Sequence, residues 1–171
     1  MVSRRLNPDA VSRRTVTRLA VGVGGAATLT AATARGQTCE RAIDLAALSD
    51  LALIGTVLDV NYPKENDAAF LVRLPQTAQG GVGENSSIVG FLRACPHMGC
   101  AVATIPRQDA RILAKCPCHR SCFDLNSSGL QLFGRSSQNL VQIRLELRGN
   151  RVFCVGLAGA QVGEPLSTRA P

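Results

Sequence analysis

Two short runs hold nearly all the metal-ligating chemistry of the chain. "CPHMGC" (residues 95–100) and "CPCHRSC" (residues 116–122) lie fifteen residues apart and contain five of the seven cysteines and both histidines. Each run offers one thiol and one imidazole at loop spacing: Cys95 with His97, and Cys116 with His119. Four such ligands could hold a tetrahedral zinc ion, yet zinc would leave Cys100 and Cys118 without a use. A zinc finger also keeps its cysteines in one half of the site and its histidines in the other, whereas both runs here are mixed. The mixture suits a [2Fe–2S] cluster in which one iron takes two thiolates and the other two imidazoles. Two thiolates leave the oxidised site neutral, where four would leave it doubly negative. An electron enters the neutral site more readily, so its potential is higher, within roughly −150 to +300 mV for this ligand set. Imidazole N–H groups, more acidic when the iron is oxidised, can couple that electron to a proton.

Loops that carry ligands need strands to hold them. Short β-branched or Leu-rich runs at 51–60, 68–74, 86–94 and 110–115, divided by turn residues, predict strands. The clearest pattern lies near the end, where Val141, Ile143, Leu145 and Leu147 alternate with Gln142, Arg144, Glu146 and Arg148. That is a strand with one buried face, and Gly149-Asn150 predicts a two-residue hairpin into a further strand from Arg151. The density of short strands implies an all-β fold, a small antiparallel barrel or sandwich. "CERAIDLAALS" (39–49) has weak helical spacing and predicts a short surface helix or docking segment. The Gly-rich stretch at 74–85 follows no P-loop pattern and opens no helix, which argues against phosphate binding. An apolar content of 46% with five Phe, one Tyr and no Trp predicts a core of Val, Leu, Ile and Ala.

The net charge of +7 invites a nucleic-acid reading, but five basic residues and one acidic residue within residues 1–34 account for +4 of it. No nucleic-acid partner is therefore expected. The twin arginine Arg13-Arg14, a modestly apolar run from Leu19, and the small residues Ala32, Thr33 and Ala34 have the form of a twin-arginine export signal over residues 1–34. Its run of about sixteen residues is short for a membrane span of roughly 18–20. An uncleaved anchor and a plain amphipathic helix are the alternatives. Cleavage is expected after Ala34, and any membrane association would come through an uncleaved leader. Twin-arginine export moves folded, often cofactor-loaded proteins, and its destination is an oxidising periplasm that permits disulfides.

The two Cys/His runs resemble the two boxes of the Rieske iron–sulfur proteins. The resemblance implies Cys95, His97, Cys116 and His119 as ligands of one [2Fe–2S] cluster and Cys100 with Cys118 as a disulfide. It implies a Rieske-type antiparallel barrel or sandwich over residues 35–171, with a small inserted cluster-binding subdomain at about 91–134. Ser121 falls where many members have a serine bonded to a bridging sulfide. Ser121, Phe123, Met98 and Pro117 are the candidate cofactor-contacting residues, the last two as shields against water, and no residue is assigned as catalytic. Cys39, Cys122 and Cys154 remain, an odd set; the small-core reading suits Cys154.

Among Rieske proteins, oxygenase members usually lack the disulfide cysteines. Quinol-oxidising subunits usually have Gly after the second histidine, a Tyr two residues beyond the serine, and a proline-rich loop. This chain has Arg120, Phe123 and "GRSSQNL" (134–140) there. From Tyr62 to Leu140 it is more similar to the small subunit of arsenite oxidase, in "NYP", "VRLPQTAQGGVGENSSIVGFLRACPHMG", the Phe123-Asp124 pair and "GRSSQNL". That resemblance implies an oxidoreductase subunit that binds no arsenite itself. It would take electrons from a large molybdopterin and iron–sulfur catalytic subunit and pass them to a periplasmic c-type cytochrome or copper protein. The alternatives are a Rieske subunit of a quinol:cytochrome c oxidoreductase of the bc1 type, and a zinc-bearing structural module.

Overall fold

The computed structural model describes residues 38–106 and 111–159; the expected export signal and its expected cleavage point lie outside the described residues. Ten strands, all paired antiparallel, form two sheets among the described residues. The larger sheet has six: β1 (Thr38–Ala47), β2 (Val57–Asn61), β3 (Ala68–Arg73), β4 (Ile88–Leu92), β9 (Gln142–Arg148) and β10 (Arg151–Ala158), in the order β1-β10-β9-β4-β3-β2. The smaller has β5 (Ala103–Pro106), β6 (Ile112–Lys115), β7 (Cys122–Asp124) and β8 (Leu130–Phe133), in sequence order. The all-β expectation holds.

The connection between the sheets is set by one pairing. Strands β4 and β9 are neighbours, with Gly90 opposite Ile143 and Phe91 opposite Gln142. The chain therefore leaves the large sheet after β4, builds all of β5–β8, and returns beside its point of departure. The small sheet is an insertion into the large one.

The expected β9–β10 hairpin is present. Ile143 is buried, Arg144 and Glu146 are exposed, and Leu145 and Leu147 are half-buried, as a two-residue period requires. Gly149, at φ +60°, and Asn150 make the turn, and Arg148 pairs directly with Arg151. Gln142, expected on the polar face, is buried instead, because its amide Nε2 donates to the Gln79 carbonyl at 2.7 Å. Cys154, on β10 between β9 and β1, is fully buried in a cluster with Leu92, Val141 and Ile143.

The segment read as a surface helix is a strand. Residues 38–47 pair along β10 as an edge strand, with two register shifts, and only Leu48–Leu51 form a single 3-10 turn. An Ala-rich run has no strong preference for β structure, but β10 presents an otherwise unpaired edge, and pairing outweighs propensity there.

The core also departs from expectation, since three phenylalanines fill its centre. Phe70 and Phe91 from the large sheet and Phe123 from the small sheet are fully buried in one cluster with Val72, Val89, Leu125 and Leu140. Each such ring contributes about 1.5–3 kcal/mol through burial, and this cluster is what seats the insertion on the large sheet. The Gly-rich stretch adds polar ties, with the Gln79 N–H donating to the Asn126 carbonyl at 2.9 Å and Asn126 Nδ2 donating to the Thr77 carbonyl at 3.2 Å. No helix among the described residues is long and apolar enough to cross a membrane.

Candidate metal centre

The two Cys/His runs are the loops at one end of the inserted sheet, and they close alike. In the first, the Cys95 N–H donates to the Cys100 carbonyl at 2.9 Å; in the second, the Cys116 N–H donates to the Ser121 carbonyl at 2.8 Å. Each loop thus folds back over five residues and tucks its first cysteine inward. Gly99 (φ +77°) turns the first loop, and Arg120 (φ +59°) turns the second. A left-handed residue other than Gly carries a steric cost, and Arg120 bears it.

The closures sort the side chains. Cys95 and Cys116 are 1% and 2% exposed and belong to the Phe70–Phe91–Phe123 cluster. His97 is half-buried and His119 exposed, with ring centroids 4.7 Å apart and planes at 87°. All four residues expected to act as ligands therefore meet at one end of the insertion. Cys100 and Cys118 form a disulfide that joins loop to loop. Their sulfurs also lie within 4.8 Å of the Cys116 sulfur, but a disulfide offers no thiolate, so Cys116 is the one thiol of that trio able to bind metal.

Two observations show that these groups suit a metal centre. His97 Nδ1 is buried and has no hydrogen-bond partner among the described residues. Buried polar atoms are rarely left so, and a metal ion would satisfy this one. Burial pushes the Cys95 thiol above its ordinary range, a backbone hydrogen bond from His97 pulls it down, and the neighbouring Cys116 pushes it up again. Two adjacent buried thiols that repel as thiolates are stabilised by a shared cation.

Ser121 is fully buried, and its Oγ accepts the Ser136 N–H at 2.9 Å. A side-chain hydrogen bond from Ser121 acts to lower the Cys95 thiol, against the burial that raises it. Phe123 lies beneath the cysteines in the core, while Met98 (68% exposed) and Pro117 sit on the outside of the loops.

A third segment, 134–140, supports the second loop and was not among the expected site residues. A Cβ on Gly134 (φ +107°) would stand 2.2 Å from Ser121 Cα, so only glycine allows this approach. Ser136 Oγ donates to the Gln138 carbonyl at 2.7 Å, which fixes the N–H that Ser121 receives. The glycine before a polar run was the available sequence signal.

Comparison with known proteins agrees with this geometry: residues 61–142 match the Rieske [2Fe–2S] domain family. Those residues are a Rieske [2Fe–2S] domain. The cofactor it takes is a [2Fe–2S] cluster, which decides against zinc, and the domain is an electron-transfer domain. The Rieske domain is similar to iodate reductase subunit IdrB of Pseudomonas sp. (strain SCT), with 36% identity over 109 residues, 64% of this chain and 57% of that one. The same subunit of Denitromonas iodatirespirans is 35% identical over 109 residues, 64% of this chain and 59% of that one. The chain thus spans less than two thirds of the length of either relative. A shorter match, 34% over 61 residues, covers 36% of this chain and 35% of the cytochrome bc1 complex Rieske iron–sulfur subunit of Streptomyces lividans. Among solved structures, the soluble domain of Rieske protein II (soxF) from Sulfolobus acidocaldarius superposes with a TM-score of 0.57 at 20% identity, over 68% of this chain and 78% of that one. That likeness establishes the fold.

Proposed function

We propose that this chain is the Rieske electron-transfer subunit of an oxidoreductase whose separate catalytic subunit acts on a small oxyanion. The observation that carries the reading is the meeting of two buried thiols and two imidazoles in loops closed by equivalent hydrogen bonds.

Cys95 and Cys116 would hold one iron, and His97 and His119 the other. When bound, the cluster takes up and releases one electron at a time, at a potential above that of four-thiolate clusters. The Phe70–Phe91–Phe123 core keeps water from the thiolates. Ser121, fixed by the Ser136 N–H, supplies a hydroxyl hydrogen bond to sulfur, which stabilises the more negative, reduced state. The Cys100–Cys118 disulfide holds the loops together whether or not they carry metal. His119 is exposed, so the electron has a short path to a partner at that end.

The resemblance to arsenite oxidase small subunits supports arsenite as the substrate of a molybdopterin partner, with a periplasmic c-type cytochrome or copper protein as acceptor. Arsenite oxidation to arsenate yields two electrons, which the chain would pass on singly. The similarity to two iodate reductase subunits favours a second substrate, iodate, whose reduction to iodide consumes six electrons and reverses the flow. The bc1-type alternative has the shorter match. The leader supports export in folded form to the periplasm.

The test is purification of the C-terminally tagged chain with its partners from the native periplasm, followed by molybdenum analysis and assays with arsenite and iodate. Molybdenum in a large co-eluting chain is the expected result, with arsenite-dependent cytochrome reduction or iodate-dependent cytochrome oxidation choosing the substrate. A lone red-brown iron protein in the membrane fraction, active with quinol, would overturn the assignment.

A further inference from the structure

Charge is unevenly distributed between the two sheets. The exposed carboxylates of the described residues belong to the large sheet and its loops, and four of them, Asp44, Asp59, Glu84 and Glu146, pair with arginines there. In the insertion the one described carboxylate, Asp124, is buried; it accepts the Asn126 N–H and the Ser127 hydroxyl and faces Arg111 at 3.8 Å. Lys115, Arg120 and Arg135 are exposed around the second loop, with no carboxylate partner among the described residues.

Apolar surface lies among these cations. Phe133 is 54% exposed and Leu132 44%, at the end of edge strand β8, where a register shift leaves Leu132 as the extra residue of a bulge. Lys115, Cys122 and Phe133 are paired directly across β6, β7 and β8 and so share one face. The close approach of Gly134 to the Arg120 carbonyl and Ser121 sets Phe133 and Arg135 against the loop that carries His119. Arg120, the residue after His119, keeps an unfavourable left-handed backbone and is exposed. Packing does not require the side chain, so the strain points to a use outside the chain.

We propose that Phe133 and Leu132, ringed by Lys115, Arg120 and Arg135, dock a soluble electron-transfer protein with an apolar spot rimmed by carboxylates. This rests on the electron-transfer reading above and names the chemistry of its mobile partner. A small apolar centre with a charged rim suits an encounter that must form and break quickly, with charge steering the approach. A permanent catalytic subunit would bury a larger and more apolar face.

The experiment uses the full cluster-loaded chain, reduced and mixed rapidly with either of two soluble c-type cytochromes, one with an acidic surface and one with a basic surface. In each reaction one electron leaves the chain and one ferric haem becomes ferrous. With the acidic cytochrome the second-order rate is expected to fall at least about tenfold from low salt to ~300 mM NaCl, with no such fall for the basic one. The triple variant K115Q/R120G/R135Q is expected to be about tenfold slower at low salt and nearly flat with salt. Its oxidation by a small uncharged quinone should be insensitive to salt, as the parent's should be. Phe133→Ser should slow the reaction and keep the salt slope. Because Gly is favoured at position 120, misfolding does not mask the result. A triple variant as fast and as salt-sensitive as the parent would overturn the proposal. So would loss of the large catalytic chain from the purified variant, which would place that subunit on this face. A chain without cluster absorbance would overturn the functional reading itself, and this proposal with it.

Discussion

The large sheet and the inserted sheet solve different problems with the same backbone geometry. Strands of the large sheet run five to ten residues, and its ion pairs include Asp44 with Arg151, both exposed, and exposed Asp59 with half-buried Arg93. Strands of the insertion are three or four residues long, below what an independent sheet sustains. The insertion gains its order from the shared Phe core, one disulfide and the Ser121–Ser136 hydrogen bond. A scaffold held by its ladder can thus carry a site held by specific fastenings, and the fastenings can be removed one at a time.

The largest separation of the two regions is expected from Cys116→Ser. Iron and visible absorbance should be lost entirely, while hydrogen exchange in β3, β4, β9 and β10 stays slow; loss of protection in both sheets would show that the large sheet depends on the metal. Next is the paired change Cys100→Ala and Cys118→Ala. Opening a bridge across 18 residues should cost about 3 kcal/mol. The cost should appear as faster exchange and cluster loss in the two loops, read by absorbance during mild denaturation.

Ser121→Ala should act more finely. It leaves the buried Ser136 N–H without its acceptor, worth about 1–3 kcal/mol. It also removes a hydrogen bond to sulfur, so redox titration should give a lower potential in a protein that still binds its cluster. The smallest effect is expected from Gly149→Ala in the β9–β10 turn. Open space surrounds that position, but φ is +60°, so the backbone cost is about 1–2 kcal/mol. It should lower global stability in a urea titration and leave the potential unchanged.

The metal-binding region was the most legible part of the sequence, because thiols and imidazoles at loop spacing have few other uses. The β9–β10 hairpin was equally plain, since alternation and Gly149-Asn150 are local signals. What escaped depended on distant partners. The 38–47 strand follows from the free edge of β10, a feature that no pattern within its own residues contains. Gln142 is buried because a carbonyl 63 residues earlier in the chain receives its amide. Phe70, Phe91 and Phe123 form the centre of the core although aromatics are scarce, because their strands meet where the insertion joins the large sheet. Gly134 and Ser136 support Ser121 through a contact between segments that only folding brings together.

The most direct test of the central claim is pulsed electron paramagnetic resonance on the reduced chain, expressed with nitrogen-15 histidine and compared with an unlabelled sample. The expected result is coupling of the unpaired electron to two histidine nitrogens, with two irons per chain by metal analysis. Because the chain has only His97 and His119, such coupling identifies both ligands at once. A cluster without nitrogen coupling, or a colourless chain holding one zinc, would contradict it.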